Sequence, residues 1–355
     1  MTNSHPAPRK TLRRSRALLS MTAIAGAVAL ALTGCVAGEG SALTDDAAAA
    51  GDWSADTLNI DFATYNPLSL IIKDQGWLEE AVGDDVTINW IQSAGSNKAN
   101  EALRAGAVDV GSTAGSAALL ARSNGSPIKT IDVYSQPNWA AILVPAGSDI
   151  TEVSDLAGKS VAATKGTDPY FFLIQALNEA GIPLADVDIQ NLQHADGKAA
   201  LESGAVDAWS GLDPLLSTSV ATAGSTVIYD NIDFNSYGFL NATESFLEAS
   251  PDLAQLVVNA YEKARAWAID DPAATADILA EVAGIDPTIA ATVVDERTNF
   301  DIDPVPGAAQ SDVLAVIGPI FVESGDVKTQ GAIDDALDSL FDTTYADAAD
   351  PSAIG

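Results

Sequence analysis

The sequence predicts an α/β fold of two similarly built lobes, each a β-sheet flanked by helices, with two crossings of the chain between them. Two observations predict it: a weak internal repeat, and a strand–turn–helix unit before each copy. Residues 101–112 (EALRAGAVDVGS) align with residues 199–210 (AALESGAVDAWS), and seven of the twelve positions are identical. Each copy is typical of a helix that ends at a glycine and a short buried strand that starts at Ala-Val-Asp.

The units before the repeat lie at almost the same offset. Residues 58–78 and residues 159–180 each contain a strand-like run, a polar turn and an apolar helix. In both units a proline follows an Asn or Asp, the residue types that cap and begin a helix. These pairs are Asn66-Pro67 and Asp168-Pro169. Two successive units that recur together favour a duplicated α/β plan.

The later elements complete the two lobes. Residues 140–144 are predicted to form the first crossing, and residues 232–240 the return. Residues 246–269 have apolar side chains at helical spacing and are predicted to pack back on the first lobe. The predicted division is residues 57–142 for the first part of lobe 1, residues 143–234 for lobe 2, and residues 235–355 for the return to lobe 1 and the C-terminal helices.

The first 34 residues are predicted to be a signal peptide. Five of the 17 basic residues lie within the first 16 positions, and an apolar stretch covers residues 17–33. The following Leu-Thr-Gly-Cys ends at Cys35 and resembles a bacterial lipobox, which implies cleavage before Cys35 and a lipid on its sulfur. Residues 35–56 are then predicted to be a lipidated flexible tether. A plain transmembrane anchor is the alternative, and Arg13-Arg14 leaves both the Sec and the twin-arginine export routes open.

Composition excludes several classes of function. Without the leader, 12 basic groups remain against 49 acidic ones, so the body would repel the phosphates of a nucleic acid. One cysteine excludes an intrachain disulfide and a Cys-rich metal site. Outside the leader His194 is the single histidine, and there is no G-x-S-x-G motif. We therefore expect a binding protein with no catalytic residues, metal or cofactor.

The strand tips and helix starts of both lobes are expected to face one cleft, since ligands of open α/β sheets bind at the carboxyl ends of strands. Free amides at helix N-termini favour a small anion, which neutral hydrogen bonds would hold. Trp209 is interpreted as a stacking wall or as core, and Asp213 as a partner for a cationic group or as a turn residue. The candidate ligand-binding residues are Tyr65, Asn66, Ser93, Ser112, Thr113, Gly115, Gly166, Thr167, Asp168, Trp209 and Asp213.

Four segments together resemble the aliphatic sulfonate-binding proteins of bacterial ABC importers, with taurine- and nitrate-type proteins as related groups. They are DFATYNPLSLIIKDQGWLE, SAGSNKANEALRAGAVDVGSTAGSAALLA, AILVPAGSDITEVSDLAGKSVAATKGTDPYFFLIQAL and SGAVDAWSGLDPLL, and the resemblance covers about residues 58–267. It implies a type II periplasmic-binding-protein-like fold and a monomeric, lipid-anchored extracytoplasmic receptor. Such a receptor captures a small organosulfonate for sulfur uptake and delivers it to a permease with a cytoplasmic ATPase.

The resemblance also implies that Tyr65, Asn66, Ser112, Thr113, Trp209 and residues 166–168 line the pocket. One departure concerns Asp168, because some of these proteins have Ser-Asn and a His at Thr167-Asp168-Pro169. Asp168 is expected either to cap its helix or to pair with an amine such as that of taurine.

Other readings remain open. The ligand could instead be nitrate, bicarbonate, an aromatic carboxylate or a pyrimidine-like molecule. Enzymes of thiamine-pyrimidine synthesis share this type of fold, and Lys165 and His194 would then be the pyridoxal phosphate lysine and its histidine. A surface lipoprotein that binds another macromolecule is a third class.

Overall fold

The computed structural model of the protein describes residues 53–355. The predicted signal peptide, the lipidation site Cys35 and nearly all of the tether lie outside the described residues. Eleven strands between residues 53 and 355 form two sheets, and helices flank both of them, so the predicted α/β class is confirmed.

Eleven strands follow one another along residues 53–355. They are β1 (Thr57–Phe62), β2 (Thr87–Gln92), β3 (Val110–Ala114), β4 (Ile128–Pro137), β5 (Ala140–Val144), β6 (Ser160–Ala163), β7 (Asp188–Asn191), β8 (Ala208–Leu212), β9 (Thr226–Asp230), β10 (Gly238–Thr243) and β11 (Thr298–Asn299). The first sheet has the order β11-β4-β10-β3-β1-β2 and the second the order β7-β6-β8-β5-β9. We call the parts of the molecule around these sheets lobe 1 and lobe 2.

Residues 53–355 also form fourteen α-helices. They are α1 (Pro67–Gln75), α2 (Trp77–Val82), α3 (Ser96–Arg104), α4 (Gly115–Ser123), α5 (Asp168–Glu179), α6 (His194–Glu202), α7 (Leu215–Ala223), α8 (Glu244–Ala249), α9 (Pro251–Asp270), α10 (Pro272–Ala283), α11 (Pro287–Arg297), α12 (Ala308–Glu323), α13 (Gln330–Leu340) and α14 (Thr344–Asp347). Of the C-terminal helices, α9 and α10 pack on α1, and α12 and α13 pack on α4. None of the helices in this range is long and apolar enough to cross a membrane.

The two sheets are built on one plan. In each sheet one strand pairs in parallel with the strands on both sides of it: β1 with β2 and β3, and β6 with β7 and β8. An antiparallel strand then lies next to β3 and next to β8. That antiparallel strand is β10 in lobe 1 and β5 in lobe 2, so each lobe receives one strand from the far side of a crossing. The crossings therefore run between β4 and β5 and between β9 and β10.

The repeated Ala-Val-Asp sequence has the same structural role in both lobes. The carboxylate of Asp109 accepts a hydrogen bond from the amide of Asn59 at 2.8 Å, and that of Asp207 accepts one from the amide of Ser160 at 2.8 Å. The amides of the two aspartates donate to the carbonyl oxygens of the same partners. Gly106 and Gly204 take left-handed φ values of 65° and 71° before them. The repeat thus fastens β3 to β1 and β8 to β6.

Two predicted helices are divided in the structure. The helix predicted after Pro67 ends at Gly76, whose φ of 65° closes α1, and α2 starts immediately afterwards. The helix predicted at residues 246–269 is interrupted before Pro251, because a proline cannot donate the hydrogen bond that would continue α8.

Trp209 lies in the core of lobe 2. Its side chain is fully buried with Ala141, Leu143, Leu201 and Leu216. A β-carbon at Gly197, inside α6, would lie 2.7 Å from the indole nitrogen of Trp209, so the helix can cover this ring closely only with glycine at that position.

Gly197→Ala tests this packing. Alanine ordinarily stabilises a helix by about 0.5–1 kcal/mol over glycine, but here the added methyl group would overlap the indole, and we expect a destabilisation of about 1–3 kcal/mol. Gly331→Ala in α13 is the matched control, since no atom lies within 4 Å of its β-carbon position. Urea denaturation of both variants measures the difference, and a stabilised Gly197→Ala variant would contradict the packing described.

Candidate functional site

The floor of the cleft in lobe 1 is a buried carboxyl group. Asp61 on β1 accepts hydrogen bonds at 2.9 Å from the amide of Ser112 and at 3.0 Å from its hydroxyl. Tyr65, in the loop before α1, donates from its hydroxyl to the carbonyl oxygen of Ser112 at 2.9 Å. Burial raises the pKa of Asp61 to about 7, although hydrogen bonds from Ser93 and Ser112 lower it.

A second buried carboxylate joins the two lobes. Asp168 accepts at one oxygen from the hydroxyls of Ser116 and Ser236, both at 2.5 Å. Its other oxygen accepts from the indole N–H of Trp139 at 2.9 Å and from the amide of Ser236 at 2.8 Å. We call these four residues the Asp168 cluster. Ser116 belongs to lobe 1 and Asp168 to lobe 2, whereas Trp139 and Ser236 lie on the two crossings.

Asp168 does not cap its helix, so that interpretation was wrong. Thr167 precedes α5, and Asp168 is the first residue of the helix, with its carboxylate directed to Ser116, Trp139 and Ser236. Burial raises the pKa of Asp168 to about 6, and the hydrogen bonds of the cluster act in the opposite direction.

An ion pair forms a second connection across the cleft. Arg297 ends α11 and binds Asp213, in the loop after β8, through its Nε atom, and Asp230, at the end of β9, through Nη1 at 3.1 Å. Asp213 also accepts from the amide and the hydroxyl of Ser217 at 2.9 and 2.6 Å, so it holds the first turn of α7. Burial raises the pKa of Asp213, and the nearby Arg297 opposes that effect.

The cleft is closed in this structure. The rings of Tyr65 and Trp139 meet edge to face with centroids 6.1 Å apart. With Asp213 and Thr298 they enclose a cavity of about 10 Å³, the space of roughly one water molecule. A ligand can therefore enter only when the lobes separate.

Two hydroxyl groups beside Gly238, the first residue of β10, have no partner in the described part of the chain. They are those of Tyr134 and Ser135 on β4, and both side chains are buried. A β-carbon at Gly238 would lie 2.4 Å from the ring carbon that carries the Tyr134 hydroxyl and 2.9 Å from the Ser135 hydroxyl. Burial raises the pKa of Tyr134, and the neighbouring Tyr65 and Tyr261 add to that effect.

The structure brings some predicted site residues together and leaves others apart. Tyr65 and Asp213 line the small cavity, Asp168 binds Trp139 beside it, and Ser93 and Ser112 bind Asp61. The remaining six have other neighbours. Asn66 caps α1 and binds the Tyr261 hydroxyl, Thr113 binds Asn241 and the Ala114 carbonyl, Gly115 packs on Phe239, Gly166 forms a left-handed turn, Thr167 binds the Thr164 carbonyl, and Trp209 is core.

Sequence reasoning did not single out several important residues. Asp61 carried one signal, since it is an acid between Ile60 and Phe62 in a strand. Ser116 directly follows the candidates Ser112, Thr113 and Gly115 but was not selected with them. Arg297 and Ser236 gave no local signal, because their partners are distant in the sequence.

The two residues of the enzyme alternative have different surroundings. Lys165 lies over the ring of Tyr170, 5.4 Å from its centroid. His194 is buried at the start of α6 beside Gly95, and burial lowers its pKa to about 4, so it is neutral at pH 7. Residues 53–355 contain no cluster of acidic, histidine or cysteine residues that could hold a metal ion.

A larger groove of about 520 Å³ lies between α7 of lobe 2 and α11, beside the Arg297 ion pairs. Leu216, Val220 and Ile289 contribute apolar walls, and Asp230 and Glu296 contribute acids. The guanidinium of Arg297 in this groove is already paired with two aspartates. The buried neutral donors of the cleft suit a small anion better than this acidic lining does.

Comparison with known proteins identifies relatives over most of the chain. Residues 69–275, more than half of the chain, match the family described as NMT1/THI5 like. A protein of Escherichia coli strain K12 named as an aliphatic sulfonates-binding protein is 29% identical over 260 residues, which are 73% of this chain and 81% of the relative. One of the same name from Bacillus subtilis strain 168 is 30% identical over 236 residues, 65% of this chain and 70% of the relative.

Solved structures share the fold. The alkanesulfonate-binding protein of Xanthomonas axonopodis pv. citri, bound to MOPS, has a TM-score of 0.72 at 23% identity, covering 79% of this chain and 98% of that one. The periplasmic aliphatic sulphonate binding protein of Escherichia coli has a TM-score of 0.69 at 26% identity, covering 82% and 93%. The desulfurization enzyme DSZB has a TM-score of 0.60 at 16% identity, covering 82% and 98%, so this fold also occurs in an enzyme.

Asp61→Asn should remove a pH dependence of stability. The carboxyl group ionises near pH 3.8 when unfolded but keeps its proton to about pH 7 when folded, so the free energy of unfolding falls as the pH rises between these values. The difference between wild type and variant should therefore fall by about 4 kcal/mol over that window, at about 1.4 kcal/mol per unit of pKa. Urea denaturation from pH 4 to pH 8 measures it, and a difference that is independent of pH would exclude the raised pKa.

Proposed function

The chain belongs to the NMT1/THI5-like family, and from that premise we propose that it is an extracytoplasmic solute-binding protein of an ABC importer. Its ligand is a small organosulfonate, an aliphatic sulfonate or taurine, which the two lobes enclose and deliver to the permease. The relatives named for sulfonate binding support this proposal over most of the chain.

One observation carries the proposal. Neutral donors from lobe 1 and from both crossings converge on a single buried anionic group, the carboxylate of Asp168. A donor set that stabilises a buried carboxylate has the chemistry needed for the anionic head of a ligand, since charge-assisted hydrogen bonds are strong where water is excluded. Nothing in binding and release requires a covalent step, so we propose a receptor rather than an enzyme.

The closed cleft supports a hinge mechanism. A cavity of about 10 Å³ cannot hold a sulfonate, so the lobes must rotate about the segments that contain Trp139 and Ser236 before a ligand enters. Closing again around the ligand would exclude water and strengthen each hydrogen bond to it. We propose that the permease recognises this closed arrangement.

We further propose that the mature chain is anchored by a lipid on Cys35. The lipobox-like Leu-Thr-Gly-Cys sequence supports this, as does the fact that Cys35 is the single cysteine of the chain. Residues 36–52 would then separate the anchor from the folded part and let the cleft reach the permease.

Tyr134→Phe tests the ligand site. The Tyr134 hydroxyl has no partner in the described chain, so its removal should not lower stability, whereas a sulfonate that uses it should bind about tenfold more weakly, a loss of about 1.4 kcal/mol. Tyr229→Phe is the control, because that hydroxyl binds Glu179 away from the cleft. Calorimetry with ethanesulfonate, taurine, nitrate and bicarbonate measures the affinities.

The wild type should bind a sulfonate at micromolar concentration or below and the two inorganic anions much more weakly. If nitrate or bicarbonate binds and the sulfonates do not, the proposed ligand is wrong. An unchanged sulfonate affinity in Tyr134→Phe would remove this hydroxyl from the site.

Cys35→Ser tests the anchor. The thiol would carry the lipid, so the variant should lose both labelling by radioactive fatty acid and recovery with the membrane fraction, while the wild type keeps both. A variant that is still labelled would contradict lipidation at Cys35.

A further inference from the structure

We propose that Asp168 is a built-in competitor for the anionic group of the ligand and that it thereby sets which ligands the cleft accepts. This inference rests on the proposed function, because it concerns how the same cleft selects its solute. In the closed structure the carboxylate of Asp168 holds the hydroxyl, indole and amide donors of Ser116, Trp139 and Ser236.

The hydrogen bonds of the carboxylate are complete. An ionised carboxylate offers about four acceptor positions, and Asp168 receives four hydrogen bonds, two at each oxygen. An ammonium group of a ligand would find no free acceptor there. In this closed arrangement Asp168 therefore takes the place of an anion and does not pair with an amine, the alternative that the sequence left open.

The position of the donors explains why this matters for closure. Ser116 starts α4 in lobe 1, and Asp168 starts α5 in lobe 2. A ligand that bridges the lobes must therefore bind where the Ser116–Asp168 contact now lies. The cavity of about 10 Å³ beside Trp139 leaves no room for both anions. Ligand binding thus requires Asp168 to leave these donors.

Two unused donors favour a head group with three oxygens. The hydroxyls of Tyr134 and Ser135 are buried without partners among residues 53–355, and both lie beside Gly238, two residues after Ser236. A planar carboxylate directs its two oxygens to one set of donors, whereas a tetrahedral sulfonate has a third oxygen that can reach others. A sulfonate can therefore gain hydrogen bonds that Asp168 does not make, and a simple carboxylate ligand cannot, which selects sulfonates.

Two substitutions test the competitor. Asp168→Asn keeps the size of the side chain and removes its charge. Asp168→Ser removes the carboxylate that accepts from Ser116, Trp139 and Ser236. We expect both variants to bind ethanesulfonate and taurine at least tenfold more tightly than the wild type in calorimetry. Taurine should gain as much as ethanesulfonate, because in this proposal the displaced carboxylate moves away from the ligand.

Asp207→Asn is the matched control. Its carboxylate also accepts hydrogen bonds from an amide and a hydroxyl, both of Ser160, but away from the cleft. This variant should lower the urea midpoint and leave sulfonate affinity unchanged. Small-angle scattering of the ligand-free proteins supplies a readout independent of binding, and the Asp168 variants should have a larger radius of gyration than the wild type.

Unchanged or weaker ethanesulfonate binding in a folded Asp168→Asn protein would overturn the inference. A loss of taurine affinity alone would show amine pairing and overturn it as well. If Asp168→Ser fails to fold, the isosteric asparagine variant still decides. If the wild type and every variant bind no sulfonate, the proposed function fails, whereas the scattering comparison continues to test whether Asp168 holds the lobes closed.

Discussion

The hydrogen bonds on one buried carboxylate connect all the parts of the molecule that must move for a solute to enter. Asp168 lies on lobe 2, Ser116 on lobe 1, and Trp139 and Ser236 on the two crossings. A buried charge without partners is costly, since its desolvation is no longer offset by hydrogen bonds. The lobes can therefore separate only if water or another polar group replaces the lost contact. This constraint couples the closed state to the occupancy of one set of donors.

Much of the fold could be predicted because the same short sequence pattern occurs in both lobes. Asp109 and Asp207 each fasten a strand to its parallel neighbour, and their partners Asn59 and Ser160 precede them by similar separations, 50 and 47 positions. Glycines at the ends of the preceding helices are required by left-handed backbone angles, which sequence patterns reveal well. The helix breaks at Gly76 and Pro251 were missed, because the apolar spacing continues across both residues.

The site was less predictable, since the direction of a side chain depends on tertiary contacts. The sequence placed Asp168 at the start of a helix. It could not show that the carboxylate would bind Ser236, 68 positions away, instead of capping the helix. Trp209 lies within the repeat, on a strand that was expected to reach the cleft. Strand residues alternate between faces, and the face of Trp209 is the one covered by α6. The next residue, Ser210, lies on the other face of the strand, and its hydroxyl donates to the carbonyl of Pro169.

An acidic protein can bind an anion because the two effects act over different distances. The formal net charge of −32 repels anions at long range, but the Debye length is about 8 Å at physiological ionic strength, so much of that repulsion is screened. Hydrogen bonds of the kind that hold Asp168 act below 3 Å and in a site that excludes water. The carboxylate of Asp168 already lies at these donors and would oppose a second anion there directly. An anion that replaces Asp168 at these donors avoids that repulsion, because the carboxylate moves away as the ligand arrives.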